Sequence, residues 1–153
     1  MTPFPPTAIP FQANLWLAAR LLPSFSRAEI GTLLRMATPP KEARAYTGLG
    51  AREITDAVQH TTARPWRMRG RRCLREGLLA FHYLSLAGHR PILHFAVEPA
   101  SLKTDKTSAH CWVSVDGDIL LNPPSPTMMP LFTYDGTRQI PSDNSAPGVA
   151  DLG

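Results

Sequence analysis

The chain has 153 residues, of which 43% are hydrophobic, and this is enough for one domain with a buried core. Its net charge of +4 is modest, so charge alone does not indicate a nucleic-acid-binding protein. The apolar run at residues 15–22 is short and interrupted by Arg20, which indicates neither a membrane span nor a signal peptide. With only two cysteines, we expect a cytoplasmic protein with both thiols reduced.

Three helices are predicted in the N-terminal part of the chain, behind a proline-rich extended arm at residues 3–10. Residues 11–22 place apolar side chains on one helical face. Residues 26–29, Ser-Arg-Ala-Glu, have the form of a capping box, which predicts a second helix of about ten residues that ends before Pro39. Residues 51–62 show weaker helical periodicity and predict a third helix.

One helix and a small antiparallel sheet are predicted in the second half. The best-marked helix begins at or near Cys73 and ends at Gly88, which suits the position after a C-cap. Strands are predicted at residues 92–97, 111–115, 118–121 and 131–134, with Asp116-Gly117 as a hairpin turn.

The predicted organisation is an α+β fold in one domain over residues 1–140. The N-terminal helices occupy residues 11–62 and a catalytic core occupies residues 66–135. Residues 141–153 have little to bury and are expected to form a disordered tail.

Cys73 and His110 have the arrangement that a cysteine nucleophile and its base need. Cys73 opens a predicted helix, where unpaired backbone N–H groups and the helix dipole favour the thiolate. An imidazole brought from a separate strand can take the thiol proton. The alternative is that Cys73 is a small buried side chain of the core.

The type of hairpin turn decides which residue can orient His110. A three-residue loop that ends at Gly117 would pair residue 110 with Asn122, whose side-chain oxygen could then accept from the imidazole. A two-residue Asp-Gly turn would place Asn122 on the opposite face. Asp118 is the fallback for the same role.

Three ordered blocks of sequence resemble a known family. They are Arg-Arg-Cys-Leu-Arg-Glu-Gly-Leu-Leu-Ala-Phe at residues 71–81, Ala-Gly-His-Arg-Pro-Ile-Leu-His-Phe-Ala-Val at residues 87–97, and Ala-His-Cys-Trp-Val at residues 109–113. The chain thereby resembles the transglutaminase-like leader peptidases of lasso-peptide biosynthesis. The resemblance implies a papain-like or transglutaminase-like core and a cysteine protease, without a cofactor, that removes the leader from a ribosomally made precursor (RiPP). It also implies Cys73 as nucleophile, His110 as base, and a separate ATP-dependent cyclase as a later partner.

The chain departs from this family at three points. The family more often has Asp at the position of Asn122, although an amide also orients the imidazole in Cys-His-Asn proteases. The family's usual alanine after the histidine is replaced by Cys111, for which we expect packing in the core, with a Cys73–Cys111 disulfide as the alternative. In the fused form a leader-recognition domain precedes the protease. Here mainly helices are predicted before Cys73, so a separate leader-recognition protein is expected.

Trp112 and Arg72 are the predicted substrate-binding residues. Trp112 would wall the substrate cleft, or would simply belong to the core. Arg72 belongs to an arginine cluster that would bind acidic groups of the leader or a partner, lower the pKa of the thiol, or form a solvated face. The cluster consists of Arg64, Arg67, Arg69, Arg71, Arg72 and Arg75. The histidines lack the spacing of a zinc site, so no metal is expected.

Two other classes of function compete with proteolysis. A different acyl transfer, such as transglutaminase-like cross-linking, would use the same Cys-His pair with an amine as acceptor in place of water. A non-catalytic module would use the arginine cluster to bind or scaffold partners. The cluster lacks the interleaved aromatic side chains of a single-strand binding surface, which argues against nucleic acid.

Overall fold

A computed structural model describes residues 2–63 and 71–143 and has an α+β fold, as the sequence predicts. Four helices pack on a five-stranded antiparallel sheet with strand order β3-β2-β1-β4-β5. The helices are α1 (Phe11–Leu21), α2 (Ile30–Ala37), α3 (Ala51–Thr62) and α4 (Arg72–Leu86). The strands are β1 (Pro91–Val97), β2 (Ala109–Val115), β3 (Asp118–Leu121), β4 (Met129–Tyr134) and β5 (Gln139–Pro141).

Helix α4 lies at the centre of the molecule. It contacts β1 and β2 on one side and α1, α2 and α3 on the others, so all of residues 75–84 are buried. A helix enclosed in this way needs partners for its polar side chains. Arg75 donates to the Ala19 carbonyl, and Glu76 accepts from the Thr62 hydroxyl at 2.9 Å. These bonds fix α4 to the neighbouring helices.

The end of α4 matches its prediction. Gly88 follows the C-cap residue Ala87 and has φ of 91°, a conformation that favours glycine. The N–H groups of Gly88 and His89 donate to the carbonyls of Ser85 and Leu84, which closes the helix. The chain therefore turns sharply into β1.

The predicted capping box at residues 26–29 is wrong. Helix α2 begins at Ile30, and its N-cap Glu29 makes no side-chain cap hydrogen bond. Ser26 is instead the C-cap of a 3₁₀ helix, Leu22–Phe25, that follows α1 directly. It is therefore not the residue that begins α2. The reciprocal bond to a backbone N–H occurs in α3, where Glu53 accepts from the Gly50 N–H at 3.3 Å.

The proline-rich arm at residues 3–10 lies against the helices. Phe4 is buried, and its ring stacks on His82 with centroids 3.8 Å apart. The Asn14 amide donates to the Pro6 carbonyl at 2.8 Å, and the Tyr46 hydroxyl donates to the Ile9 carbonyl at 2.6 Å. The arm thus packs on the helices, and its Phe4 belongs to the hydrophobic core.

The sheet extends further along the chain than the sequence predicts. Strand β5 pairs with β4, and the Ser142 N–H donates to the Leu131 carbonyl at 2.9 Å. Residues 141 and 142 therefore belong to the sheet edge and not to a disordered tail, because backbone pairing does not need apolar side chains. The rest of the predicted tail, residues 144–153, lies outside the described residues. Over residues 2–63 and 71–143, no helix has the length and apolarity required to cross a bilayer.

Candidate active site

A cleft of about 510 Å³ lies where the start of α4 meets the end of β1 and the start of β2. Cys73 and His110 both line it, so the fold brings together the predicted nucleophile and base. The rings of Phe95 and Phe132 stack in its wall with centroids 4.5 Å apart. The other large apolar side chains of the wall are Ile30, Leu33, Leu74 and Leu131.

Cys73 is the second residue of α4. Backbone N–H groups in the first turn of a helix have no partner within the helix, and the helix dipole is positive there. The N-cap residue Arg71 does not cap this turn with its side chain, which donates to the Ser26 carbonyl at 2.9 Å. That bond ties the start of α4 to the segment before α2, and the thiol faces the cleft between them.

The pKa of Cys73 is lowered to about 5. The hydrogen bond with the Cys111 side chain lowers this pKa most, and burial of the thiol opposes the change. A hydrogen bond with the Cys111 backbone, the charge of His110 and a hydrogen bond with its side chain lower the pKa further. Near neutral pH the sulfur is therefore a thiolate, which is the nucleophilic form.

His110 is held by the backbone of Asn122. The His110 Nε2 lies 2.9 Å from the Asn122 carbonyl oxygen. Because a carbonyl only accepts, Nε2 must carry the proton, and Nδ1 of the neutral ring is left to act as a base. The Asn122 side chain does not make this contact, and within the described residues its buried Nδ2 has no hydrogen-bond partner.

The observed hairpin combines features of both predicted turns. Asp116 and Gly117, with φ of 51° and 88°, form a two-residue turn, and Val115 pairs with Asp118. A bulge then shifts the register, so Val113 pairs with Leu121. Continued by one residue, this register places Asn122 opposite Trp112, on the face of β2 that also carries His110. Asn122 has φ of 53°, which turns its carbonyl toward the imidazole.

Asp118 cannot orient His110. It pairs with Val115 at the turn, five residues along β2 from His110. At the rise of an extended strand this is roughly 16 Å. Asp118 therefore belongs to the hairpin turn.

The two predicted substrate-binding residues do not line the cleft. The Trp112 ring stacks between His94 and His110, with centroids 5.0 and 6.1 Å away, and is buried on the face of β2 opposite Cys111. Arg72 donates its Nε to Glu76 at 2.9 Å, an ion pair along α4. Arg71 lines the cleft instead of Arg72.

The arginine cluster is only partly described. Arg71, Arg72 and Arg75 each donate within the molecule, to Ser26, Glu76 and Ala19. Arg64, Arg67 and Arg69 lie outside the described residues. The lowered pKa of Cys73 is due to Cys111 and His110, and no described arginine contributes to it.

Cys111 contacts Cys73 through a hydrogen bond that the sequence did not predict. It is buried as expected, with 1% of its surface exposed, but its thiol donates to the Cys73 carbonyl at 2.9 Å. Neither cysteine is in a disulfide, so the alternative of a Cys73–Cys111 disulfide is wrong. The hydrogen bond with Cys73, followed by burial, raises the pKa of Cys111, so this thiol keeps its proton. Alternation along β2 places Cys111 on the opposite face of the strand from His110. Cys111 comes into contact with Cys73 only because α4 packs on β2.

The sequence model of the transglutaminase-like superfamily matches residues 14–132, which is more than half of the chain and includes every residue of the cleft. No curated protein and no solved structure matches the chain.

Proposed function

Because the chain belongs to the transglutaminase-like superfamily, which includes cysteine-dependent peptidases and acyl transferases, we propose that it is a cysteine peptidase. We further propose that its substrate is the leader-core bond of a ribosomally made lasso-peptide precursor. The observation that carries the proposal is a low-pKa thiol in the first turn of a helix, Cys73, in one cleft with His110. A cysteine and an imidazole so placed are the minimum for nucleophilic acyl transfer.

In the proposed reaction the Cys73 thiolate attacks the carbonyl carbon of the scissile peptide bond. The carbonyl oxygen becomes an oxyanion, and backbone N–H groups in the first turn of α4 are the donors nearest to the sulfur. Protonated His110 gives its proton to the leaving amine, so the C–N bond breaks and a Cys73 thioester remains. Water, deprotonated by His110, then attacks the thioester and releases the acid and the thiolate.

The Asn122 carbonyl has a defined task in this sequence. It accepts from Nε2 in both the neutral and the protonated ring, so the imidazole stays fixed while Nδ1 gains and loses a proton. A neutral carbonyl orients the ring without adding a full negative charge beside it. This role replaces the side-chain role that was expected of Asn122.

The resemblance of three sequence blocks to lasso leader peptidases supports the proposed substrate. The apolar cleft, bounded by α2 and β4, offers a surface for an extended peptide next to the nucleophile. Helices α1, α2 and α3 all pack around α4, so the described N-terminal residues serve the core. On the same resemblance we propose two partners, a separate protein that recognises the leader and a cyclase that uses the released core peptide.

The test is intact-mass analysis of a lasso precursor incubated with this protein and its leader-recognition partner. Wild type is expected to release the leader, with one water added across the cleaved bond. Cys73→Ala and His110→Ala are expected to lose at least about a thousandfold in rate, because the nucleophile and its base act as one unit. His60→Ala is the matched control, since His60 is an exposed histidine of α3 outside the cleft.

Three results would each contradict a part of this proposal. An adduct between the precursor and an added amine would indicate transfer to an amine in place of hydrolysis. Cleavage that persists in Cys73→Ala would remove Cys73 as nucleophile. An intact precursor that binds equally to wild type and Cys73→Ala would favour the scaffold function.

A further inference from the structure

The Cys111 side chain lies between β2 and the start of α4, next to the proposed nucleophile and against Gly77. A Cβ at Gly77, one turn along α4 from Cys73, would lie 3.0 Å from the Cys111 sulfur and 2.9 Å from Leu93 Cδ1. A glycine inside a helix costs roughly 0.5–1 kcal/mol relative to alanine. This room lets the Cys111 sulfur reach the first turn of α4.

The Cys111 thiol has one proton and two acceptors that belong to the same residue. Its sulfur lies 2.9 Å from the Cys73 carbonyl oxygen. The second acceptor is the Cys73 sulfur, whose pKa is lowered most by the Cys111 side chain. Rotation about the Cβ–Sγ bond of Cys111 can direct the proton to either acceptor. A thiolate is the stronger acceptor because it is charged, whereas a thioester sulfur is a poor one.

We propose that Cys111 is a positioning residue of this site: its thiol, which lies at the Cys73 carbonyl, turns to donate to the Cys73 sulfur when that sulfur is a thiolate and donates to the Cys73 carbonyl once the sulfur is acylated. The proton moves with the rotating thiol and is not transferred, so no bond to it is broken. Burial keeps Cys111 protonated and raises its pKa, as a permanent donor requires. We rest this inference on the proposed role of Cys73 as the nucleophile.

The experiment is a thiolate titration of the reduced full chain, which needs no substrate. Ultraviolet absorbance follows the thiolate, and the rate of alkylation by iodoacetamide follows its reactivity, with mass spectrometry to locate the adduct. Wild type is expected to titrate at about pH 5 on Cys73. Cys111→Ala should raise that midpoint by about one unit or more, which lowers the thiolate fraction below the midpoint roughly tenfold.

Two further variants separate hydrogen bonding from packing. Cys111→Ser keeps a donor and should titrate close to wild type. Val113→Ala is the matched control, because Val113 is equally buried on the same face of β2 and does not line the cleft. The titration midpoint of Cys73 in Val113→Ala should equal that in wild type, even if the substitution lowers the free energy of unfolding.

Three results would overturn the inference. They are a wild-type midpoint at the ordinary value for a thiol, a Cys111→Ala midpoint equal to wild type, and a Cys111→Ser midpoint shifted as far as that of Cys111→Ala. A protein that titrates as expected but cleaves no precursor would count against the proposed substrate and not against the role of Cys111.

Discussion

At the scale of single residues, Asn122 contributes a backbone conformation and not a side-chain contact. Its φ of 53° is one that asparagine, aspartate and glycine adopt more readily than other residues. The His110 Nε2 bonds to the carbonyl that this conformation presents. An Asp at this position, which is commoner in the family that the sequence resembles, would adopt the same conformation. An Asn122→Asp substitution should therefore leave the orientation of His110 unchanged.

Substitution of Asn122 distinguishes the two ways of orienting His110. Asn122→Gly keeps the conformation without a side chain and should retain activity within about threefold of wild type. Asn122→Ala strains the backbone by roughly 1–2 kcal/mol and should lose about tenfold or more. Rates of leader release from the precursor make the comparison. Equal losses in both variants would mean that the side chain is needed.

The sequence predicted Cys73 and His110 but assigned Cys111 to the core, with a Cys73–Cys111 disulfide as the alternative. A cysteine at a predicted helix start and a histidine on a predicted strand are visible in local patterns. The contact between Cys111 and Cys73 is not, because it depends on where α4 crosses β2. The same holds for Trp112, whose stacking on His94 depends on the register of β1 and β2.

At the scale of elements, the contact between α4 and the sheet depends on Gly77. Gly77→Ala would press a methyl group against Leu93 and Cys111, both fully buried, and overpacking of this kind costs about 1–3 kcal/mol. The gain in helix propensity, at most about 1 kcal/mol, does not offset it. We expect a lower free energy of unfolding in urea.

Gly31→Ala is the matched control for this prediction. Gly31 is also in a helix, α2, and a Cβ there would meet nothing closer than 3.6 Å, the end of the Arg35 side chain. This variant should be neutral or more stable by up to about 1 kcal/mol. If the two substitutions changed stability alike, close packing at Gly77 would not be the cause.

The predicted elements agree with the structure where the hydrophobic periodicity is strong. They differ where contacts with an adjacent element change a cap or a strand register. Helix α3, at residues 51–62, has the predicted bounds. The capping box failed because the chain leaves α1 through a 3₁₀ turn that uses Ser26. The hairpin register depended on a bulge opposite Val113 and Ser114, and no residue signals that bulge in the sequence. Strand β5 was missed because its three residues are all exposed.

At the scale of the whole molecule, His82 joins three parts of the chain. Its ring stacks on Phe4 of the arm, its Nδ1 lies 3.1 Å from the Ala37 carbonyl of α2, and it belongs to α4. Burial lowers its pKa to about 4. The Nδ1 proton donates to Ala37 in the neutral ring, so the folded protein does not need the charged form.

The free energy of unfolding should therefore fall as the pH drops from about 6.5 to about 4. In this range the unfolded imidazole binds a proton and the folded one does not, so acid favours unfolding. The loss due to His82 is of the order of 3 kcal/mol, and it is complete at about pH 4. Urea denaturation across this range measures it.

His82→Asn retains an N–H donor near Ala37 and removes the titration, so its stability should depend less on pH than that of wild type. His60→Asn, on the exposed face of α3, is the control and should follow wild type. A His82→Asn curve parallel to wild type would assign the acid sensitivity to other groups.

The packed arm at residues 3–10 sets a practical limit on how the protein is produced. Phe4 covers the His82 ring, and the carbonyls of Pro6 and Ile9 hold Asn14 and Tyr46. A truncation or tag-removal step that cuts behind Phe4 would let water reach an imidazole that the intact chain keeps dry. Such a trimmed protein would lose the packing of Phe4 at every pH, and its free energy of unfolding would be lower but would depend less on pH, because an imidazole in contact with water can bind a proton in the folded state. Purification tags therefore belong ahead of Phe4.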